Sequence, residues 1–381
     1  MYKYLVLLFL FFPLISFPQA KLSFQKSDSL SYQYFQKSDW KKLIGLTKEA
    51  FKQDIDSKFM RQRAGYAYFM TGDYAAAKKQ YEKALAFDLA DDISRDYLYY
   101  SCFNLGSENT RFYAGNLSNE SKTRLGIRQY NPVEFIDTEY NMKTDESSTR
   151  SNQTYYRVGI NTELGYRFSL YQAFSYYEQT ISWVLTKQPE YLALLKWTFS
   201  PVWHLKIAYH RLSTNSGNIA YPGNMGYISL SSQLNRVNLE ANASILKSSL
   251  GTTNQMGLQA SYILPGRSNI YITSSLVGMI ENSAFRTVYS QTAGLKCFKN
   301  LWAEGNMTLG NLKNYNTNNS IYIYNSVDPT IFRTGLSLFY FVGKHLTLIG
   351  NFTFDQQEIE NIIFKAYYYQ YSYSGGLKWR L

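Results

Sequence analysis

The final segment of the chain, residues 366–381, alternates between two kinds of side chain with a period of two. One set of positions is aromatic or apolar and comprises Tyr367, Tyr369, Tyr371, Tyr373, Gly375, Leu377, Trp379 and Leu381. Successive residues of a β-strand point to opposite faces, so the spacing predicts one long strand whose second face is mostly polar. Strands of soluble sheets average about five or six residues, whereas a tilted strand that crosses a bilayer needs about ten. The segment therefore favours a strand with lipid on its aromatic side.

The same period of two begins near Ile127 and continues through most of the remaining chain. Residues 156–168, 237–245, 256–264 and 301–309 show it clearly, with apolar side chains at most alternate positions. An open sheet edge is not tolerated in lipid, so the first strand must pair with the last. The predicted fold class is a short α-helical head followed by an antiparallel transmembrane β-barrel of about fourteen strands. A soluble sandwich and barrels of about twelve or sixteen strands remain alternatives.

The connections between these strands are predicted to alternate between short turns and longer loops. Longer loops are predicted near 143–153, 185–190, 213–224, 247–254, 281–285, 311–328 and 355–365. An even strand number then places both ends of the barrel on the side of the short turns. Residues 321–324 also alternate, which indicates either a small hairpin within the sixth loop or a different strand number.

The carboxy-terminal tail resembles the assembly signal of bacterial outer-membrane barrels. That signal has a polar residue, a glycine two positions on, and apolar residues five and seven positions on. The matching residues here are Ser374, Gly376, Trp379 and Leu381, with leucine in place of the usual final phenylalanine. The resemblance implies that the barrel-assembly machinery is a partner.

Residues 1–20 have the order of parts expected of a secretory signal peptide. Lys3 supplies a positive start, residues 5–14 are almost wholly apolar, and Ala20 provides a small residue at the predicted cleavage site. The apolar run is too short to span a membrane. Export follows from this interpretation, with an uncleaved anchor as the alternative.

Residues 27–126 change to a helical period, and the clearest motif there is a turn at Gly72-Asp73 between two helices. A similar turn recurs 34 residues earlier at Ser38-Asp39. This spacing resembles the tetratricopeptide (TPR) repeat, which places small residues where helices cross and tyrosines between neighbouring helices. We predict two repeats plus a capping helix or helix pair, with an ordinary helical hairpin bundle as the alternative. The packing or docking positions are Tyr34, Trp40, Ala64, Gly65, Tyr68, Gly72, Tyr74, Ala77, Tyr81 and Ala84.

Composition excludes some classes of function. The formal net charge is +11, but no long basic run is present, so no nucleic-acid partner is predicted. The chain contains 36 tyrosines, which suit the headgroup level of a membrane. Cys102 and Cys297 lie in different segments, and we take both as free thiols with a bridge left open.

The predicted polar strand face supplies the candidate lumen residues: Arg157, Glu163, Arg167, Lys206, Glu240, Glu304 and Arg333. Paired structural charges or a channel lining both fit such a set. No catalytic, metal or cofactor site is predicted. His204 and His210 are six residues apart on one strand, which is too far for both to bind one metal ion. The enzymatic alternative is a lipid esterase or deacylase using His210 and Ser213, but a spacing of three sends these side chains to opposite strand faces.

The whole pattern resembles TPR-headed outer-membrane barrel proteins of Gram-negative bacteria, YaiO-type barrels among them. The resemblance implies domains at 1–20 (signal peptide), 21–126 (periplasmic head) and 127–381 (barrel). It also implies outer-membrane lipid and a periplasmic protein or peptide as partners. The expected function is a non-enzymatic anchor or channel, with surface polysaccharide or envelope export as a narrower version. A soluble secreted β-protein is the remaining alternative.

Overall fold

A computed structural model of the protein describes residues 22–107, 109–145, 150–249, 251–265, 269–325, 328–360 and 365–381. The predicted signal peptide at 1–20 lies outside the described residues. Among the described residues, no helix is both long and apolar enough to cross a membrane.

The amino-terminal part of the described chain is helical. Its α-helices are α1 (Phe24–Gln36), α2 (Trp40–Lys52), α3 (Lys58–Met70), α4 (Tyr74–Leu85), α5 (Asp92–Asn104), α6 (Thr110–Gly115) and α7 (Asn119–Leu125). The starts of α1, α3 and α5, at residues 24, 58 and 92, follow one another at an interval of 34 residues. The helices therefore form consecutive pairs with one repeat length.

The local sequence explains why these helices begin and end where they do. Ser23, Ser57 and Asp91 each accept a hydrogen bond from the backbone N–H three residues later, which caps α1, α3 and α5. Gly72 has a φ of 81°, a left-handed conformation that reverses the chain between α3 and α4. Ser38 takes the same conformation at the equivalent turn between α1 and α2, with a φ of 54°.

The remainder of the chain forms a closed barrel of fourteen antiparallel strands. They are β1 (Tyr130–Asp145), β2 (Gln153–Leu164), β3 (Phe168–Ile181), β4 (Val184–Thr198), β5 (Trp203–Ser216), β6 (Ile219–Leu234), β7 (Val237–Ser248), β8 (Gly251–Ile263), β9 (Tyr271–Glu281), β10 (Ala284–Phe298), β11 (Leu301–Leu309), β12 (Thr330–Val342), β13 (Leu346–Glu360) and β14 (Lys365–Arg380). Each strand pairs with its sequence neighbours, and β1 pairs with β14. The predictions of fourteen strands and of first-to-last pairing are confirmed, and the sandwich alternative is wrong.

The two faces of the barrel wall differ in polarity as the alternation predicts. On β8, Met256 and Leu258 point outward and are 74% and 68% exposed. On β6, Ser229 and Ser231 point inward and are buried. The interior is thus mainly polar and the exterior mainly apolar, which is the arrangement of a barrel that lipid surrounds.

The connections differ from the predicted pattern at one end of the barrel. The chain continues as strand through most of 185–190, 213–224, 247–254 and 281–285, where longer loops were predicted. Tight reversals at Ser182-Trp183 and Asn282-Ser283 have positive φ values, which match the twist of paired strands. Polar residues that interrupt the alternation hid these extensions. At this end, the β11–β12 connection between Leu309 and Thr330 is the longest between the described strands. We name this side the loop end; the opposite side, where β1 starts and β14 finishes, is the head end.

Candidate functional site

Residues 310–325 of the β11–β12 connection fold back on themselves as a small hairpin. The backbone N–H of Tyr324 donates to the carbonyl of Tyr315 at 2.9 Å, and that of Asn314 donates to Tyr324 at 2.8 Å. Asn316 and Ile323 form an isolated antiparallel bridge. The alternating residues 321–324 thus belong to this inner hairpin and add no strand to the wall. We call residues 310–325 the inner loop.

The inner loop contacts the wall on the side of β1, β2, β5 and β6. The Tyr322 hydroxyl donates to the Glu139 carboxylate of β1. His210 Nδ1 on β5 lies 2.8 Å from the Ser320 carbonyl. The Asn319 N–H donates to the Tyr227 hydroxyl of β6 at 3.3 Å.

The same loop also contacts the wall on the side of β8, β9, β10 and β12. The Gln255 side chain of β8 makes two hydrogen bonds with the Asn316 backbone, at 2.8 and 3.0 Å. Arg333 Nη1 of β12 donates to the Tyr324 hydroxyl at 2.5 Å. An apolar cluster joins the loop to β9 and β10, and its members are Leu312, Tyr315, Val277, Met279 and Val288. Because these contacts join it to opposite sides of the wall, the inner loop crosses the lumen.

Most of the charged lumen candidates lie in pairs. Arg157 Nη2 is 2.9 Å from Glu139 and 3.3 Å from Asp137. Lys206 Nζ is 3.4 Å from Glu240, and both side chains are buried.

Of the remaining candidates, Arg333 and Glu304 lie on strands of the wall, whereas Arg167 lies in a turn at the head end. Arg333 Nε lies 3.5 Å from Asp355, which Lys143 also contacts at 2.7 Å. Glu304 accepts a hydrogen bond from the Tyr271 hydroxyl. Arg167 lies instead in the β2–β3 turn, exposed, with its guanidinium 5.5 Å from the centre of the Phe112 ring. The prediction of a lumen position was wrong for Arg167, because the chain turns at Gly165 before reaching it.

The helical head covers the head end of the barrel through specific polar contacts. Arg236 Nη2, in the β6–β7 turn, lies 2.6 and 2.8 Å from the two carboxylate oxygens of Asp73. Arg111 of α6 is paired with Glu163 at 2.8 Å. The Asn109 side chain donates to the Pro201 carbonyl at 2.8 Å. These contacts escaped sequence reasoning, because nothing in local spacing links residues so far apart in the chain.

Most of the TPR-like positions are packed inside the head. Ala64, Ala77 and Ala84 are fully buried, and Tyr81 is 1% exposed. A Cβ added to Gly65 would lie 2.9 Å from the Tyr81 ring, so only glycine fits there without movement.

Tyr68 is also mostly buried, and burial raises the pKa of Tyr68 to about 12. The remaining TPR-like positions lie nearer the surface. Trp40 and Tyr74 make edge contacts with Tyr66 and Phe69. Tyr34 lies 6.0 Å from the Lys42 ammonium group, and Gly72 occupies the turn. The packing role of these positions fits better than a docking role.

The tail residues divide between the two wall faces. Ser374 points inward and accepts a hydrogen bond from Asn351 at 2.8 Å. Gly376 also points inward, where a Cβ would lie 2.9 Å from the Thr138 carbonyl. Trp379 and Leu381 are exposed on the outside, and the Leu381 N–H donates to Glu134 of β1.

The geometry does not support the hydrolase alternative. His210 points into the lumen, with Nε2 3.2 Å from Glu190, and is 1% exposed. Ser213 is three positions along β5 and lies on the outer face. A histidine must reach the serine hydroxyl to act as its base, so this pair cannot form a catalytic dyad. Within the described ranges, no group of three metal-ligating side chains could hold a metal ion.

The chain is a helix-headed, closed β-barrel. No family model and no curated protein matches its sequence. Solved structures with similar coordinates include a bacterial polysaccharide outer membrane secretin, at 8% identity and a TM-score of 0.43 over 66% of this chain and 99% of that chain. The CymD monoaromatic hydrocarbon channel is 8% identical, with a TM-score of 0.46 over 67% and 90%. The toluene transporter TodX of Pseudomonas putida is 8% identical, with a TM-score of 0.45 over 68% and 91%. At this level of similarity, function must be argued from the chain itself.

Proposed function

We propose that this protein is a non-enzymatic β-barrel of the Gram-negative outer membrane that anchors a TPR-like docking head on the periplasmic side. The observation that carries the proposal is the inner loop, which crosses the lumen and is bonded to opposite sides of the wall. A lumen crossed in this way favours an anchor over a permanently open export pore. YaiO-type barrels with helical heads remain the family that it resembles.

The outer wall supports a membrane position. Leu276, Ile228 and Ile245 are among many large apolar side chains that are about half exposed on the outside. A soluble monomer rarely exposes a continuous apolar surface of this kind. Burial of this surface in lipid removes it from water, and the closed sheet leaves no unpaired edge.

The free surface of the head supports a docking role. Phe59, Phe87, Leu89 and Ile93 are each more than half exposed on the helical head. Lys58 is paired with Asp88 at 3.0 Å, which brings the start of α3 beside the α4–α5 connection that carries Phe87 and Leu89. An apolar patch with charged neighbours is suited to a protein or peptide partner.

Gated export of a surface polysaccharide or another envelope component is the second candidate. The observation in its favour is that the inner loop belongs to a connection and not to the wall, so it can leave the lumen without breaking the barrel. The polar interior would then line the pore. An anchor and a gated channel differ in whether the inner loop ever leaves the lumen.

Protease accessibility in cells tests the anchor. We expect the full chain in the outer-membrane fraction, with the head cleaved only after the outer membrane is permeabilised. Arg236→Gln should leave the barrel in the membrane but make the head easier to cleave. A head that is cleaved in intact cells, or a chain recovered in the soluble fraction, would refute the proposal.

A further inference from the structure

A row of five outward-facing residues crosses five adjacent strands near the loop end. Register pairs Tyr191 with Arg211, Arg211 with Asn224, Asn224 with Lys247, and Lys247 with Thr252. The strand neighbours of its central members are buried inside the barrel: Leu212, Met225 and Leu246. The row therefore lies on the outside, and we call Arg211, Asn224 and Lys247 the basic row.

Other lysines at the loop end are paired with acidic side chains, but the two cations of the basic row are not. Lys187, also outward at the loop end, lies 4.0 Å from Glu178, and Lys365 lies 3.1 Å from Glu358. In the described part of the chain, no carboxylate forms an ion pair with Arg211 or Lys247. Two exposed cations on one side of the wall are thus left for an external anion.

Asn224 adds a third donor between them. Its Oδ1 accepts a hydrogen bond from the Tyr209 hydroxyl at 2.6 Å, which leaves the Nδ2 amide free to donate outward. Arg211 and Lys247 are separated by two strand spacings, roughly 10 Å. Both side chains are long, so their cationic ends can converge on one anionic group above Asn224.

The position of the row identifies the source of that anion. On the same three strands, an exposed apolar surface begins on the head-end side of the row. Its first isoleucines are Ile207, Ile228 and Ile245. When this surface lies in hydrocarbon, the basic row lies at the level of the lipid headgroups. Arginine forms paired hydrogen bonds with phosphate oxygens, and lysine adds a point charge.

We propose that Arg211, Asn224 and Lys247 bind the phosphate of an anionic membrane lipid in the leaflet at the loop end. The inference rests on the proposed function, since only a barrel embedded in a membrane presents this row to headgroups. In the outer membrane, that leaflet is the outer one, so a phosphorylated glycolipid is the expected ligand.

Native mass spectrometry of the detergent-purified chain tests the site with three probes: a bisphosphorylated lipid A, the same lipid without its phosphates, and inorganic phosphate. The wild-type protein should retain the phosphorylated lipid. The double variant R211Q/K247Q should retain about tenfold less. Asn224→Asp, which places a carboxylate between the cations, should also lose retention.

The control variant is K299Q/K344Q, which removes the same charge from exposed turns at the head end. It should retain the phosphorylated lipid as the wild-type protein does. Equal retention by R211Q/K247Q and the wild-type protein would overturn the proposal. So would equal retention of the dephosphorylated lipid, or saturation by inorganic phosphate at the same concentration.

Heat-modifiable gel mobility separates this proposal from the proposed function. If every variant runs as a folded barrel but lipid retention does not depend on the basic row, only the lipid site is wrong. If the wild-type chain needs no detergent and shows no heat-modifiable form, the membrane barrel itself is wrong, and the lipid site with it.

Discussion

Asp73 and Arg236 join the head to the barrel with two hydrogen bonds, at 2.6 and 2.8 Å, from one guanidinium nitrogen to both carboxylate oxygens. The Asp73 carboxylate also accepts the Ala76 N–H at 3.1 Å and so caps α4. One side chain therefore starts a helix and fixes that helix to the barrel. The orientation of the head depends on a residue that the turn motif already requires.

The two roles of Asp73 can be separated by substitution. Asp73→Ala should lose both roles and destabilise the head by about 1 kcal/mol from the cap alone. Arg236→Gln should lose only the ion pair. A double-mutant cycle measured by thermal unfolding of the helices should give a coupling energy of about 1 to 2 kcal/mol. If the changes in unfolding free energy caused by the two substitutions were strictly additive, the contact would be contradicted.

Gly65→Ala should destabilise the head, because the new methyl group would lie 2.9 Å from the Tyr81 ring. Overpacking of this kind costs about 1 to 3 kcal/mol. Gly45→Ala is the matched control: it lies within α2, and an added Cβ there meets nothing within 4 Å. The control should stabilise the head by up to about 1 kcal/mol, because alanine has a higher helix propensity than glycine. Chemical denaturation followed by helical circular dichroism measures both, and a neutral Gly65→Ala would show that the two helices are not in close contact.

Cys102 should make the stability of the head depend on alkaline pH. Burial raises the pKa of its thiol to about 12, whereas an unfolded thiol ionises near about 8.5. The folded state holds the proton longer than the unfolded state, so the stabilisation is complete below the unfolded pKa and is lost as the pH rises through the folded pKa. Urea midpoints of the head should fall as the pH rises from about 8.5 to about 12.

Cys102→Ala should make that decrease shallower without removing it. Tyr68 has a pKa raised to about 12 by burial, so it contributes with the same sign. Thiol labelling of the folded protein should modify the exposed Cys297 and leave the buried Cys102 unreacted. An unchanged pH slope in Cys102→Ala would contradict the buried thiol.

Gln255→Ala should loosen the inner loop, because it removes both hydrogen bonds to the Asn316 backbone. The expected cost is about 1 to 2 kcal/mol of local opening free energy. Hydrogen exchange of the Asn316 amide should speed up correspondingly. Asn254→Ala is the control, since its side chain is on the outer face of the same strand, and it should leave the exchange rate unchanged.

The sequence predicts the wall better than it predicts what fills or covers it. Alternation places Tyr156 and Val158 outside and Arg157 inside, because the strand period alone decides the face. The extension of β5 and β6 around Gly217 was missed, since polar residues there mask the period. Two contacts could not be predicted from a local pattern, because they depend on the tertiary positions of the inner loop and of the head. They are Tyr322 with Glu139 and Asp73 with Arg236.

Conductance across a planar lipid bilayer tests the central claim most directly. The wild-type protein should insert without a steady current, because the inner loop closes the lumen. A variant with residues 314–325 replaced by a short glycine–serine linker should show discrete conductance steps through the polar interior. Steady wild-type conductance equal to that of the shortened variant would contradict closure of the lumen by the inner loop.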